Sequence, residues 1–139
     1  MAAVPEPEQL VVFGSALGYQ CFWFAERFGR PCIGYDLLCA SLVRPATEMA
    51  KQLGLDALVT FRCESADLAP LPETGVIWVN DYAWDDSVRE VVHQRLAGRS
   101  PKTTVVLTSK PIDFEASHEV QVSVSWNTDL RVSIFNPEL

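Results

Sequence analysis

Four consecutive apolar residues, Leu10, Val11, Val12 and Phe13, run straight into the glycine-flanked turn Gly14 to Gly18, and a helix-like segment follows at once. That order is how an α/β unit begins. Residues 10–13 read as a buried parallel strand, 14–18 as the turn, and Gln20 to Phe28 as a helix whose N-terminus faces the turn. Asp36 closes the next apolar run, CIGYD, 22 residues beyond Gly14. A carboxylate placed there can accept hydrogen bonds from both hydroxyls of a ribose. Two readings fit these residues: a site for a nucleoside-containing ligand, and a tight strand-to-helix turn that needs glycine only for its backbone angles.

The chain has room for one core. Its 139 residues suit a single domain at the small end of the α/β range, with residues 1–9 as a short tail and 10–139 as the domain. Hydrophobic residues make up 48% and charged ones 21%, the profile of an ordinary globular protein. A net charge of −7 argues against a direct nucleic-acid grip, which needs clustered Lys and Arg. Basic partners or neutral small molecules suit that charge better. No apolar stretch approaches the roughly 20 residues of a membrane span, so no membrane partner is expected, and MAAVPEPEQ has no signal-peptide pattern. A cytoplasmic or nuclear location is the expectation. Cys21, Cys32, Cys39 and Cys63 form no C-x-x-C pair and have no histidine at ligand spacing, so no metal is expected. They read as reduced, mostly buried thiols. His93, in a helix-like stretch, reads as solvent-facing or capping.

Strands and helices alternate along the rest of the chain. Pro31 to Asp36 reads as a strand and Leu38 to Leu53 as a helix stopped by Gly54, with Pro45 forcing a separate turn or kink near its start. Leu58 to Cys63 and Gly75 to Asn80 are further strands. Between them, Ser65 to Thr74 carries Pro70 and Pro72 and holds little more than one helical turn, although a parallel crossover normally wants a dozen residues or more. Asp85 to Leu96 reads as an amphipathic helix, with Asp85 and Asp86 as its cap and first-turn charges. Thr103 to Ser109 is a fifth strand. The tail, VQVSVSW and LRVSIF separated by Asn127, Thr128 and Asp129, reads as a hairpin, so the last strand runs antiparallel to its partner.

A mostly parallel sheet finished by an antiparallel hairpin resembles the class I S-adenosylmethionine (SAM) dependent methyltransferases, a Rossmann-like α/β sandwich. In the C-terminal half, VIWVNDYAWDDSVREVVHQRL, TSKP and VSWNTDLRVSIF resemble segments of the disruptor of telomeric silencing family, histone lysine methyltransferases that lack a SET domain. The resemblance spans Leu10 to Phe135 and implies SAM as cofactor. It places Gly14, Ser15, Ala16, Gly18 and Tyr19 at the methionine portion, Asp36 with Leu37 at the ribose, and Glu64 at the adenine amine. It places Asn80, Tyr82 and Trp126 at the methyl-transfer site and lysine channel, with Trp84 beside them. From the residues alone, Asn80 reads equally as a strand-end cap bonding neighbouring backbone, and the aromatics as packing groups.

The chain departs from the family at several positions. Val12 stands where the family has an acidic residue, Ala16 replaces the central glycine, and Ile134 replaces a channel tyrosine. Nine residues precede the first strand, so an N-terminal lid segment is expected to be absent and the cleft open. Methyl transfer asks mainly for alignment and exclusion of water, and an amine acceptor must also lose a proton; no residue is obviously placed for that. The expected function is SAM-dependent methyl transfer to an unidentified acceptor, with a basic protein lysine as one form of it. Its partners would be that substrate or a chain that completes the lid; the oligomeric state stays open. The alternatives are a SAM-binding or protein-interaction module without catalysis and, since a glycine turn with a ribose carboxylate suits NAD too, a dinucleotide binder.

Overall fold

A computed structural model describes residues 6–109, 118–124 and 127–135. The strands are β1 (Leu10–Phe13), β2 (Cys32–Asp36), β3 (Val59–Cys63), β4 (Gly75–Val79), β5 (Thr103–Leu107), β6 (His118–Val124) and β7 (Asn127–Phe135), and the helices α1 (Tyr19–Phe28), α2 (Arg44–Gln52) and α3 (Asp86–Ala97). All seven strands join one sheet in the order β3-β2-β1-β4-β5-β7-β6. The first five are mutually parallel, and β7 enters antiparallel to both β5 and β6. This is the Rossmann-like methyltransferase fold expected from the sequence.

The order places β1 beside β2 on one flank and β4 on the other, so the chain reverses its direction of travel across the sheet at β1. Loops leaving β1 and β4 therefore diverge and open a crevice at the C-terminal strand ends, where α/β sheets hold ligands. All four residues of β1 are buried, because both sheet faces are covered. Leu10 and Val12 face a cluster with Phe22, Phe24 and Ala25 of α1 and Ala46 and Ala50 of α2. Val11 and Phe13 face the other, with Val92 and Leu96 of α3.

Local chemistry sets the element ends. Helix α1 starts after Gly18 at φ 86° and stops at Gly29 at φ 62°, backbone that glycine adopts without strain. A Cβ at Gly18 would overlap the ring of Phe61, so the start of α1 also needs glycine for space. The segment after β2 opens with a π-helical turn at Cys39–Val43 and becomes α-helical at Arg44–Gln52, with Pro45 in the first α-helical turn. That is the separate first turn which Pro45 demands. Between β3 and β4 the backbone makes one turn, with Leu68 and Ala69 both donating to the Ser65 carbonyl. Asp85 occupies the N-cap of α3 without a side-chain capping bond, and Asp86 pairs with Arg89 at 2.7 Å.

Three expectations change. Strand β5 ends at Leu107 rather than Ser109, because the Ser109 N–H turns away from the ladder to the Asp81 carboxylate. Asn127, Thr128 and Asp129, expected as a turn, begin β7, and an irregularity between Val122 and Val124 absorbs the change of register. Residues 125–126, with the candidate Trp126, lie outside the described residues. The cysteines, expected as thiols, pair as the disulfides Cys21–Cys32 and Cys39–Cys63, with Cα separations of 5.3 and 5.2 Å, within the range a disulfide spans. Packing of α1 on β2 and the register that sets Asp36 beside Cys63 create these neighbours, which sequence spacing does not reveal. Cys21 and Cys32 are buried, whereas Cys39 and Cys63 are exposed.

Candidate functional site

The glycine turn is anchored by its own backbone. The N–H groups of Gly14 and Ser15 both donate to the Tyr35 carbonyl, at 2.8 and 3.1 Å, and Gly18 N–H donates to the Ser15 carbonyl at 2.9 Å. Ala16 sits at φ 48°, left-handed backbone that costs a non-glycine residue roughly 1 kcal/mol. Its N–H donates to Asp36 Oδ2 at 3.0 Å, while Leu38 N–H donates to Asp36 Oδ1, also at 3.0 Å. Asp36 thus braces the turn against the end of β2. Each carboxylate oxygen still has acceptor capacity beyond its one bond. The Ser15 side chain occupies space that Gly34 leaves open, and its buried hydroxyl has no hydrogen-bond partner among the described residues.

Asn80 stands just past β4 and closes the other side. Its Nδ2 donates to the Gly14 carbonyl at 3.0 Å and to Gln20 Oε1 at 2.7 Å, and its Oδ1 accepts the Trp78 Nε1–H at 2.7 Å. An indole N–H only donates and a backbone carbonyl only accepts, so the amide orientation is fixed. Both amide hydrogens are committed inside the protein. A Cβ on Gly14 would lie 3.2 Å from the Asn80 carbonyl and 3.3 Å from the Trp84 ring, so backbone, amide and indole are closely layered there.

Two chambers open around these groups. The larger, about 740 Å³, is bordered by the glycine turn, Tyr19, Gln20, Trp78, Asn80, Tyr82, Thr108 and Leu130. The smaller, about 320 Å³, is bordered by Tyr35, Leu37, Glu64, Ser65, Ala66, Asp85 and Val88. Gly14, Asp36, Ala83 and Trp84 belong to both walls. Among the described residues, the ionic side chains bordering them are Asp36, Glu64 and Asp85. Burial raises the Tyr35 phenol above its ordinary pKa, partly offset by the charge of nearby Arg62.

Every sequence-derived candidate inside the described residues borders a chamber. Gly14, Ser15, Ala16, Gly18, Tyr19, Asn80 and Tyr82 line the larger, Leu37 and Glu64 the smaller, and Asp36 both. Gln20, Trp78, Thr108 and Leu130 were not anticipated. For Thr108 a signal existed, since ligands gather past the C-terminal ends of parallel strands. His93, expected at the surface, is buried against Asp81: its position in α3 falls on the face turned to the sheet. Burial by itself would raise the Asp81 pKa, but hydrogen bonds from His93 and Ser109 and the attraction of His93 outweigh it and hold the carboxyl below its ordinary value.

Neither a family model nor a curated protein matches the chain. Solved structures do. An RNA methyltransferase from Salinibacter ruber in complex with S-adenosyl-L-homocysteine (SAH) superposes with a TM-score of 0.72 at 21% identity, over 95% of this chain and 83% of that one. The geranyl diphosphate C-methyltransferase of Streptomyces coelicolor A3(2), in complex with Mg2+, geranyl diphosphate and SAH, gives 0.61 at 18% identity over 72% of this chain and 37% of its own. A geranyl diphosphate methyltransferase bound to sinefungin gives 0.60 at 20%, over 76% and 40%. The chain thus spans most of the first neighbour but under half of the other two. By strand order, antiparallel finish and these likenesses, it has the fold of the class I SAM-dependent methyltransferases.

Proposed function

We propose that the two chambers together hold SAM and that the protein is a SAM-dependent methyltransferase. The observation that supports this most is the continuity of the chambers through Gly14, Asp36 and Trp84: a nucleoside end and an amino-acid end require two adjoining spaces with a ribose-binding carboxylate between them. The residues fit the group. Asp36 keeps acceptor capacity for ribose hydroxyls, Leu37, Glu64 and Ser65 border the smaller space for adenine, and Gly14 to Tyr19 border the larger. The buried Ser15 hydroxyl beside it lacks a partner among the described residues, and the acidic walls suit a cation. When bound, SAM supplies a methyl group on a strongly activated sulfonium.

The chain's own part is positioning. Asn80 fixes the glycine turn relative to β4, and Trp78, Tyr82 and Leu130 offer an apolar approach for the acceptor. Acidic charge favours a basic acceptor, in keeping with a protein lysine. The finer likeness to the telomeric-silencing histone methyltransferases rests on sequence segments alone; none of the neighbours described above acts on histones by its name. A second reading, a SAM-binding module without transfer, is favoured by the full commitment of the Asn80 amide hydrogens.

Isothermal titration with SAM, SAH and NAD tests the proposal. Micromolar binding of both sulfur ligands without NAD binding is expected; absence of SAM and SAH binding would overturn it. Transfer of a labelled methyl group to basic peptides then separates enzyme from binding module.

A further inference from the structure

Behind the chambers lies a buried polar knot of which Asp81, His93 and Ser109 border neither chamber, while Thr108 reaches the wall of the larger. Asp81 follows Asn80 and is fully enclosed. Its Oδ1 accepts the Ser109 N–H at 2.9 Å and lies 3.3 Å from the Thr108 hydroxyl, whose one proton also has the Val79 carbonyl within reach at 3.2 Å; its Oδ2 accepts the Ser109 hydroxyl at 2.6 Å and meets His93 Nε2 at 2.5 Å. His93 comes from α3 and is 1% exposed, and Thr108 and Ser109 lie just past β5. One carboxylate therefore joins three elements.

Serine, histidine and aspartate in contact suggest a hydrolytic nucleophile, but the connections are in the wrong order. Ser109 Oγ donates to Asp81, and His93 Nε2, the nitrogen a nucleophile would need, is itself turned to Asp81 and lies 3.5 Å from that hydroxyl. Ser109 is 4% exposed and borders neither chamber. A nucleophile needs both its base and its substrate.

The same knot continues into the loop that walls the site. Tyr82 N–H donates to Thr108 Oγ1 at 3.2 Å and Trp84 N–H to the Asp81 carbonyl at 3.1 Å. Tyr82, Ala83 and Trp84 then border the chambers. A buried polar cluster seldom outperforms an apolar filling of equal volume; what it adds here is direction, because a carboxylate held from α3 and from the end of β5 orients the loop that follows it. Resting on the SAM reading of the cleft, we propose that Asp81 and His93 are positioning residues that hold loop 80–84 in its cofactor-accepting arrangement, His93 acting from α3 without touching the cofactor.

The test compares His93→Leu, His93→Gln and Val92→Ala by SAH titration, thermal melting and amide hydrogen exchange. Val92 is the neighbouring buried residue of α3 and has no bond to Asp81, so its truncation controls for lost stability alone. His93→Leu is expected to weaken SAH binding about tenfold or more and to speed exchange at the amides of Tyr82 and Trp84 relative to those of β1. His93→Gln, which restores a side-chain donor, is expected to recover most of both. Equal loss in Val92→Ala, or unchanged exchange in His93→Leu, would overturn the proposal. Should His93→Leu fail to fold, His93→Asn, whose shorter side chain withdraws the donor from Asp81, takes its place with the same expected and overturning results. If the unaltered protein binds no SAH, the SAM reading fails, and the exchange rates alone decide whether the loop is positioned from α3.

Discussion

The side-chain amide of Asn80 donates to the backbone carbonyl of Gly14 across 3.0 Å, tying the end of β4 to the turn that follows β1. These residues are 66 positions apart and become neighbours only because β1 and β4 pair in the sheet. The bond makes the crevice a fixed shape.

Replacing that amide by a carboxylate removes both donors and sets oxygen against oxygen at the Gly14 carbonyl, while the Gln20 amide must turn to offer its donor. Asn80→Asp is therefore expected to lose about 2 kcal/mol of stability and to weaken SAH binding more than Asn80→Ala, which leaves space for water. Urea unfolding and calorimetric titration measure the two effects, and wild-type stability in Asn80→Asp would show that the amide is not a structural tie.

Asp36 serves the turn before it serves any ligand, since Ala16 holds its left-handed backbone with the help of this carboxylate. Asp36→Ala is expected to abolish measurable SAH binding, whereas Ala16→Gly, which removes the Cβ strain, should stabilise the fold by up to about 1 kcal/mol. The melting temperature of Ala16→Gly, expected to rise with binding retained, and SAH titration of Asp36→Ala, expected to show none, check the two.

The Asp81 carboxyl titrates below its ordinary range in the folded protein. A folded-state pKa below the unfolded one gives stability that is fully present above the unfolded value, about 3.9, and is lost as pH falls through the folded value. Unfolding free energy is therefore expected to drop on acidification from pH 5 downward, and Asp81→Asn should be less stable at pH 7 but show a shallower acid slope. An unchanged slope would mean that another carboxylate dominates acid unfolding.

The two disulfides differ in access. Cys39 and Cys63 are exposed while Cys21 and Cys32 are enclosed between α1 and β2. Mild reductant followed by alkylation and mass spectrometry is expected to label Cys39 and Cys63 first, with Cys21 and Cys32 protected until the protein unfolds. Alkylation of all four cysteines in unreduced protein would contradict the pairing.

Much of this architecture is legible in the sequence because it is written in local terms. Residues 10–18 announce strand and turn by an apolar run and glycines, and Pro70 with Pro72 announces the missing crossover helix. The larger chamber was half legible: Asn80 and Tyr82 stood out through a motif, while Trp78 and Leu130 look like any strand residue until register sets them there. The pairing of His93 with Asp81 is not legible in the sequence because it depends on how α3 rotates against the sheet, which a weakly amphipathic segment does not specify. The cysteine pairs were hidden for the same reason, each joining elements whose contact is tertiary.

The strand order has a kinetic consequence. Parallel pairing of β1 with β4 closes a loop of some sixty residues, a step whose entropy must be met before its contacts give any return. Gly14, Asn80, Trp78 and Gln20 thus come together only once the two halves of the sheet have met, and no contiguous fragment of either half contains them all. Ligand capture during refolding would accordingly lag behind the recovery of helix signal, making the crevice a natural clock for completion of the fold.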